Sequence, residues 1–215
     1  MLRLLAALAL AATAGSAWAH NGVVHKNAAE AAAHAAKTAP AKALPAGPAL
    51  PFPVKITPKF DLIDHSGKPV TEQSFAGRPM VVFFGYANCQ AICSVALPRL
   101  GAALDILGAK AGQVAALMIT VDPARDTVAT MGPALAKWHK RLTGLTGSPG
   151  KLAAARAAFQ VEAKKAFDDP DAGAVFSHGS FLYLIGADGK VKSVVPPILG
   201  PERIAALIGK YLLKG

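Results

Sequence analysis

The sequence predicts an α/β fold, with a central mixed β-sheet flanked by helices, from three observations. Continuous apolar runs at 79–86 and 114–121 are typical of strands buried on both faces of a sheet. Between them, 97–110 has leucines at helical spacing. Two further apolar runs flank Gly186-Ala-Asp-Gly189, which is a hairpin signal. Parallel strands are therefore expected in the first half of the sheet and antiparallel strands in the second.

The other elements are predicted from local signals. A strand at 60–64 enters a turn at His65-Ser-Gly67, and 127–142 is predicted as a helix in which Gly132-Pro133 is a potential break. Ser148 is the expected cap of a helix that starts at Pro149 and runs to about 159. The remaining expectations are strands at 161–167, 180–185 and 190–195 and a helix at 201–213. This order is the one that a thioredoxin-like sheet requires.

Composition restricts the classes of partner. The chain has 215 residues, enough for one domain with extensions, and a net charge of +10. It contains no block of Lys and Arg and no basic-aromatic repeat, which argues against nucleic-acid binding. The positive charge would attract an acidic partner surface, although a generally solvated basic surface explains it more simply.

Three segments are predicted along the chain. Residues 1–19 resemble a signal peptide, with Arg3, a short apolar stretch and the small-x-small site Ala17-Trp-Ala19. The uncharged stretch is shorter than the ~20 residues of a membrane helix, so export to the periplasm is favoured over an uncleaved inner-membrane anchor. Residues 20–52, rich in Ala, Pro and His, are expected to be a disordered linker, and 53–215 a single domain.

The two cysteines of the chain, Cys89 and Cys93, follow the first apolar run. Proline is tolerated in the first helical turn, so Pro98 predicts that the next helix starts close to Cys93. A helix N-terminus favours the thiolate form of cysteine. The pair then suits a soft metal such as Cu(I), or a reversible disulfide. Zinc fits less well because structural zinc sites have four protein ligands and the chain has only two cysteines. A permanent structural disulfide is also disfavoured, because a loop closed across three intervening residues would constrain the unfolded chain little.

A tight metal site needs a third ligand, for which His178 is the candidate. It lies just before an apolar strand, where a loop is expected opposite the cysteines. Imidazole also suits copper. His65, in a turn, and His139, in a charged helical segment, are expected to face solvent.

Polar residues follow the second apolar run in Asp122-Pro-Ala-Arg-Asp126-Thr127. Parallel strands end at one sheet edge, so this segment should lie beside the cysteines. Asp126 or Thr127 is the expected helix cap. Asp122 is either part of an ordinary turn or a support for the site, as an outer-shell residue or a partner contact.

At these residues the chain resembles the SCO/SenC family of copper-handling proteins. The matching strings, in order, are FDLIDHSGKPV at 60–70, FGYAN at 84–88 followed by the two cysteines, VDPARDT at 121–127, GLTGSP at 144–149, SH at 177–178 and FLYLIGADG at 181–189. The resemblance implies a thioredoxin-like fold and copper bound by Cys89, Cys93 and His178. It also implies a role in assembling the CuA centre of cytochrome c oxidase, and it matches Asp122 to the aspartate of the family's Asp-Pro motif.

The chain departs from the family where Gln90 and Ser94 replace the prolines that usually follow each cysteine. This should loosen the loop and alter copper affinity and redox potential without changing the ligands. The predicted function is a periplasmic chaperone that holds Cu(I) or Cu(II) for the CuA-bearing oxidase subunit, with other periplasmic copper or thiol-redox proteins as further partners. The alternative is a thiol–disulfide oxidoreductase that uses a redox-active Cys89–Cys93 pair to reduce partner cysteines. A peroxidase of the peroxiredoxin kind is a third class, for which peroxide turnover is expected to be negligible.

Overall fold

The computed structural model divides the chain into two units, 1–53 and 54–215. It describes residues 18–20, 23–25, 56–87, 93–170 and 173–213. In the first unit, strands β1 (Trp18–His20) and β2 (Val23–His25) pair antiparallel. The rest of the predicted signal peptide and linker lies outside the described residues, and the predicted boundaries stay predictions.

The second unit is built on a seven-stranded mixed sheet. Its strands are β3 (Asp61–Asp64), β4 (Pro69–Thr71), β5 (Met80–Gly85), β6 (Ala115–Thr120), β7 (Leu142–Thr146), β10 (Leu182–Ile185) and β11 (Val191–Val195). The spatial order is β11-β10-β5-β6-β7-β3-β4. The β5-β6-β7 centre is parallel and the remaining pairs are antiparallel. The predicted mixed sheet is confirmed.

Two strands stand apart from this sheet and pair with each other. They are β8 (Ala163–Asp169) and β9 (Gly173–His178), which run antiparallel with Ala163 opposite His178. We call this pair the histidine ribbon because it ends at His178. A strand at β8 was expected from the sequence, whereas β9 was not.

The described residues contain four α-helices: α1 (Cys93–Leu107), α2 (Val128–Ala136), α3 (Pro149–Phe159) and α4 (Pro201–Leu212). Helix α1 packs against α4, which also contacts β10 and β11, while α2 contacts β7 and α3 contacts β3. The Ser148 hydroxyl accepts a hydrogen bond from the Lys151 amide at 3.4 Å, so the predicted cap of α3 is confirmed. Within the described ranges, no helix is both long enough and apolar enough to cross a bilayer.

Two helix predictions need correction. The prediction that a helix runs from 127 to 142 is wrong, because α2 ends at Ala136 and Leu142 begins β7. Helix α1 begins at Cys93 as predicted, but Pro98 lies five residues further on, beyond the first turn. Both α1 and α2 continue through an internal proline, Pro98 and Pro133.

The core is centred on β5 and β6, in which every residue is buried. Their parallel register pairs Gly85 with Thr120, so both strands end at the same edge. The residues that follow these two strands, Tyr86 and Ala87 after β5 and Asp122 after β6, therefore lie at the same edge.

Candidate metal site

The structure describes both ends of the cysteine segment. Tyr86 and Ala87 continue from β5 and are buried, and Cys93 begins α1. Cys89 lies outside the described residues, and only the backbone of Cys93 is described. A negative charge at the first residue of α1 would be favoured by the positive end of the helix dipole. The predicted roles of Cys89 and Cys93 as metal ligands and as a redox pair stay predictions.

A buried carboxylate holds the start of this segment. Asp126 is 1% exposed, and its Oδ2 accepts hydrogen bonds from the Ala87 amide at 2.9 Å and the Thr120 hydroxyl at 2.8 Å. Its backbone is fixed as well, since its amide donates to the Asp122 carbonyl and its carbonyl accepts from the Thr146 hydroxyl, each at 2.9 Å. The residue two positions before Cys89 is thus anchored to the end of β6.

This environment raises the pKa of Asp126. Burial disfavours the carboxylate and is the largest cause, reinforced by the nearby charge of Asp122. The hydrogen bonds from Ala87 and Thr120 and the charge of Arg125 act in the opposite direction and do not outweigh burial.

Asp126 is not the helix cap. Thr127 occupies that position, and its hydroxyl accepts a hydrogen bond from the Thr130 amide. Of the two caps that the sequence allowed, the structure selects Thr127, and Asp126 turns inward instead.

The predicted support residue Asp122 is 3% exposed and forms an ion pair with Arg125 through its Oδ2 and the guanidinium Nε. The Arg125 Nη2 also donates to the Ala174 carbonyl of β9. Its guanidinium carbon lies 5.3 Å from the centre of the Tyr86 ring, within cation–π range. Asp122 therefore acts on this region through Arg125.

His178 is the last residue of β9, not part of a loop as predicted. Its half-buried ring packs edge-on against Tyr86 and Phe83, with ring centres 6.0 Å and 6.4 Å apart. Its Nδ1 lies 3.1 Å from the Gly179 carbonyl. Since a carbonyl only accepts, this contact requires a proton on Nδ1, and in neutral imidazole the lone pair is then on Nε2. The histidine predicted as a ligand thus contacts Tyr86, three residues before Cys89.

The other two domain histidines have structural partners, so the expectation that they face solvent is wrong. His65 Nδ1 accepts the Gly144 amide at 3.0 Å. His139 Nδ1 accepts the Arg141 amide at 3.0 Å, and its Nε2 lies 3.4 Å from Asp105. Both imidazoles stabilise backbone turns and strand ends.

Among the side chains that the structure describes, no cluster of three His, Cys, Asp or Glu residues could hold a metal ion. Of the predicted ligands Cys89, Cys93 and His178, the side chains of both cysteines lie outside the described residues.

Sequence reasoning missed the roles of Tyr86, Arg125 and Asp126. The spacing of Asp122 and Arg125, three positions apart, was the available signal for their ion pair. The inward turn of Asp126 and the stacking on Tyr86 had no local signal, because both depend on contacts between distant segments.

Comparisons with known proteins place this geometry in a family. The SCO1/SenC family model matches residues 49–213. Protein sco1 of Schizosaccharomyces pombe is 34% identical over 157 residues, which are 72% of this chain and 60% of that protein. The chain spans only 47–60% of the length of the first curated relatives it matches.

Solved structures of Sco proteins have the same fold as this chain. ScoI of Bradyrhizobium japonicum, solved with copper bound, has a TM-score of 0.67 and 36% identity over 73% of this chain and 99% of its own. BsSco, described with a disulfide switch and as a member of the Sco family of cytochrome c oxidase assembly proteins, has a TM-score of 0.56 over 72% of this chain and 92% of its own. At its 22% identity, this second likeness shows the fold alone.

The predicted thioredoxin-like fold is confirmed by these neighbours. The family match extends over most of the chain and includes the whole seven-stranded sheet and the histidine ribbon. The chain belongs to the SCO1/SenC family.

Proposed function

We propose that this protein is a copper chaperone that holds copper with Cys89, Cys93 and His178. The observation that carries the proposal is the packing of His178 against Tyr86, with ring centres 6.0 Å apart. An imidazole from a distant strand therefore lies beside Tyr86, the residue after β5 from which the chain continues toward Cys89. The copper-bound relative from Bradyrhizobium japonicum supports the choice of metal.

The chemistry of the donors fits the proposed cargo. Thiolates select soft Cu(I), and imidazole binds both Cu(I) and Cu(II), so two sulfurs and one nitrogen suit an ion that changes oxidation state. Three protein ligands leave a coordination position at which a receiving protein's ligand can enter. Transfer then proceeds by exchange of ligands without a bare ion in solution.

The proposed recipient is the cytochrome c oxidase subunit that carries the CuA site. Support comes from the family to which this chain belongs, because BsSco is described as a member of the Sco family of cytochrome c oxidase assembly proteins. We further propose that delivery takes place in the periplasm, on the basis of the signal-like sequence of residues 1–19.

A second candidate is thiol–disulfide exchange with a partner. Helix α1 begins at Cys93, a position where the helix dipole favours a thiolate. In this reaction the two thiols would reduce a partner disulfide, pass two electrons to it and close as the Cys89–Cys93 disulfide. The chemistry needs both cysteines but no histidine.

Copper titration of the reduced protein separates the two candidates. His178→Ala should weaken Cu(I) binding by more than about 100-fold, the upper end of the loss that removal of an outer-shell group alone typically causes. Cys89→Ser/Cys93→Ser should abolish tight binding. His139→Ala is the matched control, because its imidazole contacts Asp105 and Arg141 instead of the site.

Equal copper affinity of the wild type and His178→Ala would rule out the three-ligand site. Retained reduction of a partner disulfide by His178→Ala, together with unchanged copper affinity, would favour the exchange reaction.

A further inference from the structure

We infer that Arg125 is a positioning residue that orients the histidine ribbon so that His178 meets the cysteine segment. The inference rests on the proposed copper function. It concerns how the third ligand is placed, not which residues are ligands.

The ribbon needs such support because it buries little of its own surface. Five consecutive residues of β8, from Lys164 to Asp168, are exposed, and Phe167 is 57% exposed. The ribbon forms its own two-stranded sheet and adds no strand to the central one. Segments with few buried apolar contacts open at a lower free energy than the core, so individual side-chain contacts matter more there.

Arg125 contacts three separate parts of the region. Its Nε pairs with the carboxylate of Asp122, whose backbone amide donates to the Thr120 hydroxyl at the end of β6. Its Nη2 donates to the Ala174 carbonyl in β9, and its guanidinium lies over the Tyr86 ring. One side chain thus connects the ribbon to both segments that follow the central strands.

The backbone of the ribbon is shaped to receive this side chain. Gly173 has φ of +74°, a conformation that favours glycine. A Cβ added there would lie 3.0 Å from Arg125 Nη1. The close approach of β9 to the guanidinium therefore depends on the absence of a side chain at Gly173.

The contacts that hold β9 to this edge lie along the length of the strand, and Phe176 in its middle packs on Tyr86 with ring centres 5.7 Å apart. Arg125 binds Ala174 at one end of the strand, and Tyr86 and Phe83 pack against His178 at the other. Ala174 is held through its backbone carbonyl, whereas Phe176 and His178 are held through their rings. Without the Arg125 contact, the Ala174 end of β9 would be free to shift relative to Tyr86, and the tilt of the strand would misplace the imidazole.

Lysine cannot perform this role. The guanidinium is planar and has several N–H donors, so it binds the Asp122 carboxylate and the Ala174 carbonyl at once while stacking on Tyr86. An ammonium group is a point charge, so lysine would keep the positive charge at this position without the planar set of N–H donors. Arg125→Lys is therefore the informative substitution.

The test combines three measurements on the full chain. The first is amide hydrogen exchange of the copper-free protein, in which Arg125→Lys should speed exchange in β9 and leave β5 and β6 unchanged. The second is Cu(I) affinity by competition with a chromophoric chelator, in which Arg125→Lys should lose about tenfold. The Cu(II) absorption spectrum should also change because the imidazole sits differently.

Two further variants sharpen the result. Arg78→Lys is the matched control, because Arg78 also donates to backbone carbonyls, those of Gly112 and Val114, but lies before β5. It should leave all three measurements unchanged. Gly173→Ala should also speed exchange in β9, and its effect should be smaller in the Arg125→Lys background than in the wild type if both changes weaken the same contact.

Unchanged β9 exchange in Arg125→Lys would overturn the inference. So would faster exchange with unaltered copper affinity and spectrum, since the contact would then be structural only. His178→Ala separates failure of the proposed copper site from failure of the positioning role. Wild-type copper affinity in His178→Ala would refute the three-ligand site itself. Weak binding in His178→Ala together with wild-type binding in Arg125→Lys would refute only the positioning role of Arg125.

Discussion

The two regions that carry the predicted ligands differ in how they are held. The edge of β5 and β6, which leads to the cysteines, consists of buried strands and is tied by the buried carboxylate of Asp126. The histidine ribbon is exposed along most of β8 and half-buried along most of β9, and it is held by aromatic contacts to Tyr86 and by Arg125. The strands that lead to the cysteines are part of the core, whereas the ribbon that carries His178 is attached to the core.

This difference has a consequence for the proposed release of copper. Residues in buried strands keep their positions, because moving them would disturb close-packed side chains. A ligand on a lightly buried ribbon can move at lower cost. We therefore expect changes in copper coordination during transfer to occur on the histidine side.

The largest test of this comparison is a pair of phenylalanine truncations. Phe84→Ala in β5 removes a fully buried ring that packs against Phe159 and Tyr183, and should lower the free energy of unfolding by about 3–5 kcal/mol. Phe167→Ala in the ribbon removes an exposed ring and should change it by about 0.5 kcal/mol or less. Urea denaturation measures both, and similar losses would mean that the two regions are not held differently.

A smaller change in the free energy of unfolding is expected when one carboxylate of each region, Asp126 or Asp168, is removed. Asp126→Ala leaves the Ala87 amide and Thr120 hydroxyl buried without their acceptor, at a cost of about 1–3 kcal/mol. Asp168→Ala breaks only an exposed ion pair with Lys165 and should cost less than about 1 kcal/mol. If Asp168→Ala lowered the free energy of unfolding as much as Asp126→Ala, the two regions would not differ in how polar side chains stabilise them.

The smallest expected effect is a dependence of the free energy of unfolding on pH through Asp126. The folded-state pKa of Asp126 lies above the value of about 3.9 for an unfolded chain, so in the window between them the folded state keeps a proton that the unfolded state has lost. The contribution of Asp126 is therefore complete below the unfolded-state pKa and is lost as pH rises through the folded-state pKa. Asp126→Asn cannot titrate.

The difference in unfolding free energy between the wild type and Asp126→Asn should accordingly fall across that window and become constant above it. Urea denaturation at a series of acidic to neutral pH values measures this difference. A difference that rises with pH would show that the hydrogen bonds from Ala87 and Thr120 outweigh burial.

Local signals were enough for the central elements. The apolar runs at β5 and β6, the Ser148-Pro149 start of α3 and the Gly-Ala-Asp-Gly turn between β10 and β11 each predicted the element that the structure contains. In each case the signal and the element lie in the same few residues.

Strand β7 was missed because its sequence is shaped by a neighbouring helix. Gly144 interrupts the apolar run of this strand and weakens the strand signal. A Cβ added there would lie 2.5 Å from Met131 Cε and 2.9 Å from Leu135 Cδ1, so the glycine makes room for α2. Strand β9 was missed because its half-buried residues do not alternate in polarity.

Residue types and short spacings were enough to predict most of the helices and strands, the paired cysteines that follow a buried strand and the chemistry of the candidate donors. The packing of His178 against Tyr86, the inward turn of Asp126 toward Ala87 and the link that Arg125 makes between β9 and Asp122 became visible only in the folded domain. Those contacts join segments far apart in the chain. Their geometry follows from strand order, register and close packing, which local patterns do not encode.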